Sequence, residues 1–307
     1  MDLHSFTGRV AVVTGAGRGI GRAHALLLAA RGASVVVNDL GGAMDGTGAD
    51  TGIAAAVAAE IAAAGGTAVP DGSDVATAAG GQALIDTAVG RFGRLDILVN
   101  NAGIIRWAGF PDADTDNLAS HLAVHTFGSF NTARAAWPHM VEQGYGRIVM
   151  TTSTGIFGLP ENLSYAAAKG AVIGLTRSLS VAGAARGIKV NLIAPAAFTR
   201  MAGQPADGVD PSGGGASPMA PEQVAPMVAF LAHEDCPVSG EIYAAGAGRF
   251  ARIFIATTPG YVHPTATPTI EDVAEHWATI NDEKGYDVPT DLMAWSAAFT
   301  AHLRPPR

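Results

Sequence analysis

A single cysteine, Cys236, leaves the chain without an intramolecular disulfide and without a cysteine-based zinc site. Charge is also sparse: 15% of the 307 residues are charged, the net charge is −8, and Lys and Arg nowhere cluster. Nucleic acids and anionic membrane surfaces are held through clustered cations that neutralise phosphate, so partners of both kinds are excluded. No apolar stretch is long enough to span a bilayer without charges or repeated glycines. The short mixed segment Met1–Gly8 does not read as a signal peptide. A cytoplasmic setting is expected. His263, His276 and His302 lack metal-ligand spacing, and no metal is expected.

What the chain has in quantity is apolar and small residues, 48% hydrophobic with 39 glycines, enough for a sizeable core. Short runs rich in Val and Ile, at Val10–Thr14, Ser34–Asn38, Ala68–Asp71, Ile97–Asn100 and Arg147–Thr151, read as buried strands. Lys189–Ile193 and Glu241–Ala244 continue the series. Between them lie helix-length stretches at about Gly19–Ala30, Ile53–Ala64, Thr77–Arg91, Thr115–Glu142, Ser164–Arg186 and Pro221–His233. This alternation predicts an α/β fold, a doubly wound parallel sheet of about seven strands with helices on both faces. Gly203–Pro218 is too rich in Gly and Pro for either element. A plain connection is one reading; its place after the sixth strand favours a lid over a ligand. Residues 1–248 read as one domain, and 249–307 as a helical extension packed on it or on a partner subunit. Thr269 and Asp272 suit a helix cap there, and Asp291–Leu303 a second helix.

The first strand runs into Thr14-Gly15-Ala16-Gly17-Arg18-Gly19-Ile20-Gly21. Glycines between a strand and a helix let the backbone approach a pyrophosphate, which the helix N-terminus favours. The second strand ends at Asp39, whose carboxylate can accept from both ribose hydroxyls of an adenosine and repels a 2′-phosphate. That places NAD ahead of NADP, although Arg18 beside the loop can tolerate the extra phosphate.

With Asp74-Val75, Asn100-Asn101-Ala102-Gly103 and Tyr165-Ala166-Ala167-Ala168-Lys169 following in register, the chain resembles the short-chain dehydrogenase/reductase family across roughly Phe6–Gly248. The resemblance implies that Gly15, Arg18, Gly19, Ile20 and Gly21 cradle the cofactor, that Asp74 and Val75 hold its adenine, and that Asn101, Ala102 and Gly103 line it. Pro195, and Thr199 after it, fall at the nicotinamide end. Tyr165 and Lys169 lie one helical turn apart and face one side. An ammonium beside the phenol stabilises the phenolate, so Tyr165 can act as acid or base for an alcohol, and Lys169 also holds the nicotinamide ribose. A hydroxyl at the end of the fifth strand orients the substrate oxygen. Counting from the strand selects Ser153, whereas the usual spacing back from the tyrosine selects Thr152. Deletions are easier in loops than in strands, which favours Ser153.

The family commonly has an asparagine in its fourth helix; this chain has His125, in Val124-His125-Thr126-Phe127-Gly128-Ser129-Phe130. A helical histidine is ordinarily structural. The same residue in a similar context occurs in (3R)-hydroxyacyl-CoA dehydrogenase domains of peroxisomal multifunctional enzymes, where it would support Lys169 or a water chain. A 3-hydroxyacyl thioester is therefore the expected substrate class, ahead of a steroid, terpenoid or cyclic alcohol. A sensor that binds the cofactor without turnover is a more distant alternative, which intact Tyr165 and Lys169 argue against. Small residues on the fifth-strand helix, Ala166, Ala167, Gly170, Ala171 and Gly174, together with the resemblance, imply a homodimer or homotetramer.

Overall fold

The computed structural model describes residues 4–197, 217, 219–265 and 267–303. The chain divides into two compact units, Met1–Arg252 and Ile253–Arg307.

In the first unit, β1 (Val10–Thr14), β2 (Ser34–Asn38), β3 (Thr67–Asp71), β4 (Ile97–Asn100), β5 (Gly146–Thr151), β6 (Ile188–Pro195) and β7 (Ile242–Gly246) pair in parallel. An eighth strand, β8 (Arg249–Ile253), completes the order β3-β2-β1-β4-β5-β6-β7-β8. β1, β4 and β5 are buried along their whole length, as the unbroken Val and Ile runs require of strands covered on both faces. β3 carries Pro70 and sits at the sheet edge, where a missing N–H costs no ladder bond.

The two-residue period of a strand sorts the core into layers. Ala11, Val13, Val35, Val37, Ile97, Val99, Val149 and Ile193 belong to a cluster with α1 (Gly19–Ala30), α2 (Gly52–Ala63) and α7 (Ala225–Ala232). Their neighbours Val12, Val36, Leu98 and Ile148 are as buried on the other face. There α3 (Ala78–Phe92), α5 (Gly128–Gln143) and α6 (Leu163–Gly183) pack. Each such buried aliphatic side chain stabilises the fold by about 1.5–3 kcal/mol.

Two elements differ from expectation. The helix expected over Thr115–Glu142 is not continuous: α4 (Thr115–His121) passes into a π-helical stretch, Leu122–Phe127, before α5. The Ser129 hydroxyl donates to the His125 carbonyl at 2.7 Å, within this widened turn; such bulges mark functional sites more often than chance. β8 lies beyond the expected strands because it is an exposed edge without a strong apolar run. Only Ala247 and Gly248 separate it from β7, and so short a link joins antiparallel neighbours alone. Both residues have positive φ, 52° and 70°, as a type I′ turn demands.

The second unit contains α8 (Ile270–Glu275), α9 (Trp277–Ile280) and α10 (Leu292–Phe299). Thr269 and Asp272 form the expected reciprocal cap of α8. Thr257 and Asp287 form an antiparallel bridge, and the Trp295 indole N–H donates to the Thr257 hydroxyl at 3.1 Å. Among the described residues no helix is long and apolar enough to cross a membrane.

Alanine at the first turn position carries a steric cost that asparagine or glycine avoids. Ala247→Asn is expected to stabilise the protein by about 0.5–1 kcal/mol, read as a higher urea midpoint. An unchanged or lower midpoint would show that this turn stores no strain.

Candidate active site

The order of strands reverses between β1 and β4, so a crevice opens at their carboxyl ends. Thr14 and Asn101 join its two walls. The Thr14 hydroxyl accepts from the backbone N–H groups of Asn101 and Ala102, each at 3.0 Å, and the Asn101 amide donates to the carbonyls of Thr14 and Gly15 at 3.0 and 3.1 Å. Gly15 has φ +61°, and a Cβ there would lie 2.8 Å from the Ala102 Cα. Only glycine lets the loop and the end of β4 approach this closely.

Gly15, Arg18, Gly19, Ile20, Gly21, Asp39, Asp74, Val75, Asn101, Ala102 and Gly103 all line this one cleft. The sequence reading thus converges spatially on residues drawn from four strand ends. The Asp39 carboxylate accepts from Gly17 N–H at 2.8 Å and from Gly41 N–H at 2.7 Å, one bond to each oxygen. This pins the side chain at the end of β2 while leaving lone pairs for hydroxyls. The Asp74 carboxylate accepts from Ala76 N–H at 3.0 Å, and the Val75 carbonyl from the Asn131 amide at 3.0 Å. A glycine-lined loop, a carboxylate on the far strand and a helix N-terminus fit an adenosine pyrophosphate. Leu40, Ala43 and Met44, after Asp39, supply further wall, and the Met44 carbonyl accepts from Ile105 N–H at 2.9 Å. None of the three was expected in the cleft, because the stretch after Asp39 has no period that places its side chains.

Across the crevice, β5 leads to Thr152 and Ser153, and α6 presents Tyr165 and Lys169. Thr152 is fully buried and its hydroxyl donates to the Lys169 carbonyl at 3.0 Å. The Ser153 hydroxyl accepts from the Gly155 N–H at 3.0 Å, and its nearness to Tyr165 eases the phenol pKa downward against the larger upward push of burial. Of the two candidate hydroxyls, Ser153 is the one that meets the phenol. The buried Lys169 ammonium donates to the Thr151 carbonyl at 2.8 Å and lies 5.6 Å from the Tyr165 ring centre. Burial lowers its pKa to about 7. In the protein alone, then, burial destabilises the Lys169 ammonium, and the phenol faces a less secure cation than an exposed lysine would supply.

His125 is buried in the π-helical turn, with Nε2 2.8 Å from the Ile104 carbonyl and 3.3 Å from the Ile104 N–H. The shorter contact makes Nε2 the protonated nitrogen. Nδ1 has no hydrogen-bond partner among the described residues. Burial, with Lys169 nearby, holds the imidazole well below its usual pKa, and so neutral. Its ring stands edge-on to Tyr165, with centroids 5.1 Å apart, and lies against Gly103, where any Cβ would collide with it. His121 was missed, although its i, i+4 spacing to His125 was visible. It stacks on His125 at 6.0 Å and meets Tyr165 edge-on at 6.2 Å. Its ring bridges the Asn117 carbonyl at 2.8 Å and the Arg106 N–H at 3.2 Å. Pro195 closes β6 beside Ala245 of β7. Thr199 and the expected lid, apart from Ser217, lie outside the described residues.

The lysine pKa has a consequence for stability. Unfolding returns Lys169 from about 7 to its ordinary 10.5, so between those pH values the unfolded chain binds more protons. Stability therefore rises with pH across this window, and the penalty is complete below pH 7. Lys169→Met removes it. The variant is expected to be more stable than the parent by on the order of a few kcal/mol below pH 7, with the gap closing toward pH 10.5. Melting curves showing a pH-independent gap would contradict the lowered pKa.

Comparison with known proteins matches this architecture. The short chain dehydrogenase family model covers residues 9–207. A Mycobacterium tuberculosis protein named as a short-chain type dehydrogenase/reductase is 44% identical, over 90% of this chain and 95% of its own length. The mouse peroxisomal multifunctional enzyme type 2 is 42% identical over 94% of this chain, which spans only 38% of that longer enzyme. Among solved structures, 7α-hydroxysteroid dehydrogenase complexed with NADH and 7-oxo glycochenodeoxycholic acid superposes with a TM-score of 0.69. It is 29% identical, over 80% of this chain and 95% of that one. The chain belongs to the short-chain dehydrogenase/reductase family of oxidoreductases.

Proposed function

We propose that this protein transfers a hydride between NAD and a secondary alcohol or its ketone, with a 3-hydroxyacyl thioester as the preferred substrate class. The observation that carries the reading is the meeting of Ser153, Tyr165 and Lys169 at the carboxyl ends of β5 and β6, beside the nucleotide cleft. The bound nicotinamide accepts or supplies the hydride. Ser153 donates a hydrogen bond to the substrate oxygen and so fixes the reacting carbon. Tyr165 takes the hydroxyl proton in oxidation and returns it in reduction. Phenolate character on Tyr165 raises the proton affinity of Lys169, so the pair that accepts the alcohol proton is phenolate and ammonium, and oxidation leaves phenol and ammonium, with one proton to release to solvent. His125, neutral and with Nδ1 unpartnered among the described residues, would support Lys169 or a water chain to it.

Asp39 supports NAD over NADP, since a 2′-phosphate would meet a carboxylate already anchored by two N–H groups. The thioester class rests on the His125 context and on the likeness to the mouse peroxisomal enzyme. Apolar rims fit such a tail: Trp107 and Phe110 after β4, and Phe157 and Leu159 after β5, are exposed on loops joined by a bridge between Ala108 and Asn162. A second reading, oxidation of a steroid or other cyclic alcohol, is favoured by the likeness to the hydroxysteroid dehydrogenase. We also infer a homodimer or homotetramer, because Ala167, Gly170, Ala171 and Gly174 of α6 are exposed along one helix, with Phe127 and Phe130 exposed at the start of α5.

NADH formation with (3R)- and (3S)-hydroxyacyl-CoA esters, steroids and cyclic alcohols decides among these. Turnover of (3R)-thioesters with NAD is expected; activity on free alcohols alone would discard the thioester class, and NADH binding without turnover would discard catalysis. Tyr165→Phe should lower kcat by at least about 100-fold with NADH affinity nearly unchanged. Turnover persisting in that variant would rule out Tyr165 as the acid/base. Gly174→Glu should dissociate the assembly, seen as a halved mass in light scattering; a native-sized variant would place the interface elsewhere.

A further inference from the structure

We propose that His4, His233 and Asp235 form a site for one divalent cation of the zinc type, remote from the catalytic residues. Their ligand atoms all lie within 4.8 Å of one another. Asp235 Oδ2 is 3.3 Å from His233 Nδ1 and 3.9 Å from His4 Nε2. Metal–ligand bonds of about 2.0–2.1 Å in tetrahedral array separate neighbouring ligands by roughly 3.4 Å. The first pair already has that spacing, and the exposed His4 side chain closes the second by a small inward swing. Two neutral imidazoles and a carboxylate suit Zn²⁺, Co²⁺ or Ni²⁺ and leave coordination positions for solvent.

The surroundings are those of a ligand set. His233 is buried, and its Nε2–H points at the Ser5 carbonyl, 3.3 Å away, which directs the Nδ1 lone pair toward Asp235. A ligating histidine ordinarily uses its second nitrogen in this way. Among the described residues Nδ1 accepts one long bond, 3.2 Å, from the Asp235 N–H, which a metal ion would displace. Arg147 fixes the turn from beneath, donating to the His233 carbonyl at 3.2 Å and the Glu234 carbonyl at 3.4 Å. The cations that meet this turn are engaged: Arg9 pairs with Asp96 and Glu234, and Arg147 rests over the Tyr145 ring. His4 has φ +67°, a conformation that L residues seldom hold, and its ring stands edge-on to His233 at 5.0 Å. Cys236 follows in sequence but is turned toward Asn191 and the Val238 carbonyl.

Arg147 is the second residue of β5 and Arg9 precedes β1, so the cluster sits at the amino ends of the strands, opposite the crevice. A cation there clasps the segment ahead of β1 to the turn after α7, a link between distant parts of the chain that restrains the unfolded state. Its role is stability, not hydride transfer.

The test uses the full chain, free of any histidine tag and stripped of metal, titrated with Zn²⁺ by calorimetry and with Co²⁺ by its visible spectrum. One ion per chain is expected, with a melting temperature that climbs with free metal by mass action. His4→Ala and Asp235→Asn alter exposed side chains outside the catalytic machinery, so both should keep their fold and turnover. Each should weaken binding at least about tenfold and abolish the melting shift. Absence of saturable binding in the parent, or equal binding in both variants, would overturn the site.

Discussion

Thr14 and Asn101 hold the two halves of the sheet together at the place where the strand order reverses. Four hydrogen bonds between 3.0 and 3.1 Å connect the end of β1 to the end of β4. The crevice exists because consecutive crossovers leave in opposite directions there, and it stays narrow because these side chains satisfy backbone groups that the diverging strands strand without partners. The glycine loop, Asp39 and the Asn101-Ala102-Gly103 stretch face one another only while that seam is closed. Gly15 is obligatory in this arrangement for a packing reason as much as for a ligand.

Burial shapes the chemistry on the other side of the crevice. Lys169 is buried with, among the described residues, one backbone acceptor, and desolvation brings it to about 7. The same surroundings raise the phenol of Tyr165 and keep His125 neutral. Three titratable groups are thus packed so that none carries a secure charge alone, and a proton moving on one alters the next. Such a site is costly to stability, and clusters of perturbed groups of this kind concentrate where catalysis occurs. The π-helical turn at His125 belongs to the same set of constraints: it brings the ring against Gly103 and Tyr165, a contact that a regular helix would displace.

Much of this was legible in the chain. Continuous apolar runs of four or five residues specify parallel strands, and all seven lie where the pattern places them, although β3, expected to be buried, has no buried residue because it forms the sheet edge. The nucleotide-cleft residues could be named because glycine, carboxylate and asparagine motifs act locally, through backbone conformation and hydrogen bonding at strand ends. The choice between Thr152 and Ser153 was not so local. Two counts from sequence disagree, and the fold separates the two hydroxyls: Thr152 is buried and donates to the Lys169 carbonyl, whereas Ser153 is the one near enough to Tyr165 to influence its phenol.

Neighbouring residues alone carry the layered α/β architecture, the cleft and the placing of Tyr165 and Lys169 on one side of a helix, since periodicity, glycine placement and one-turn spacing are local properties. Tertiary structure alone decided the π-helical break, the packing of His121 on His125 and Tyr165, the hairpin that adds β8, and the gathering of His4 with His233 and Asp235. It also lowered the pKa of Lys169 by burial. Each of these depends on groups far apart in the chain being brought together and removed from water, and local sequence carries no measure of that distance or that desolvation.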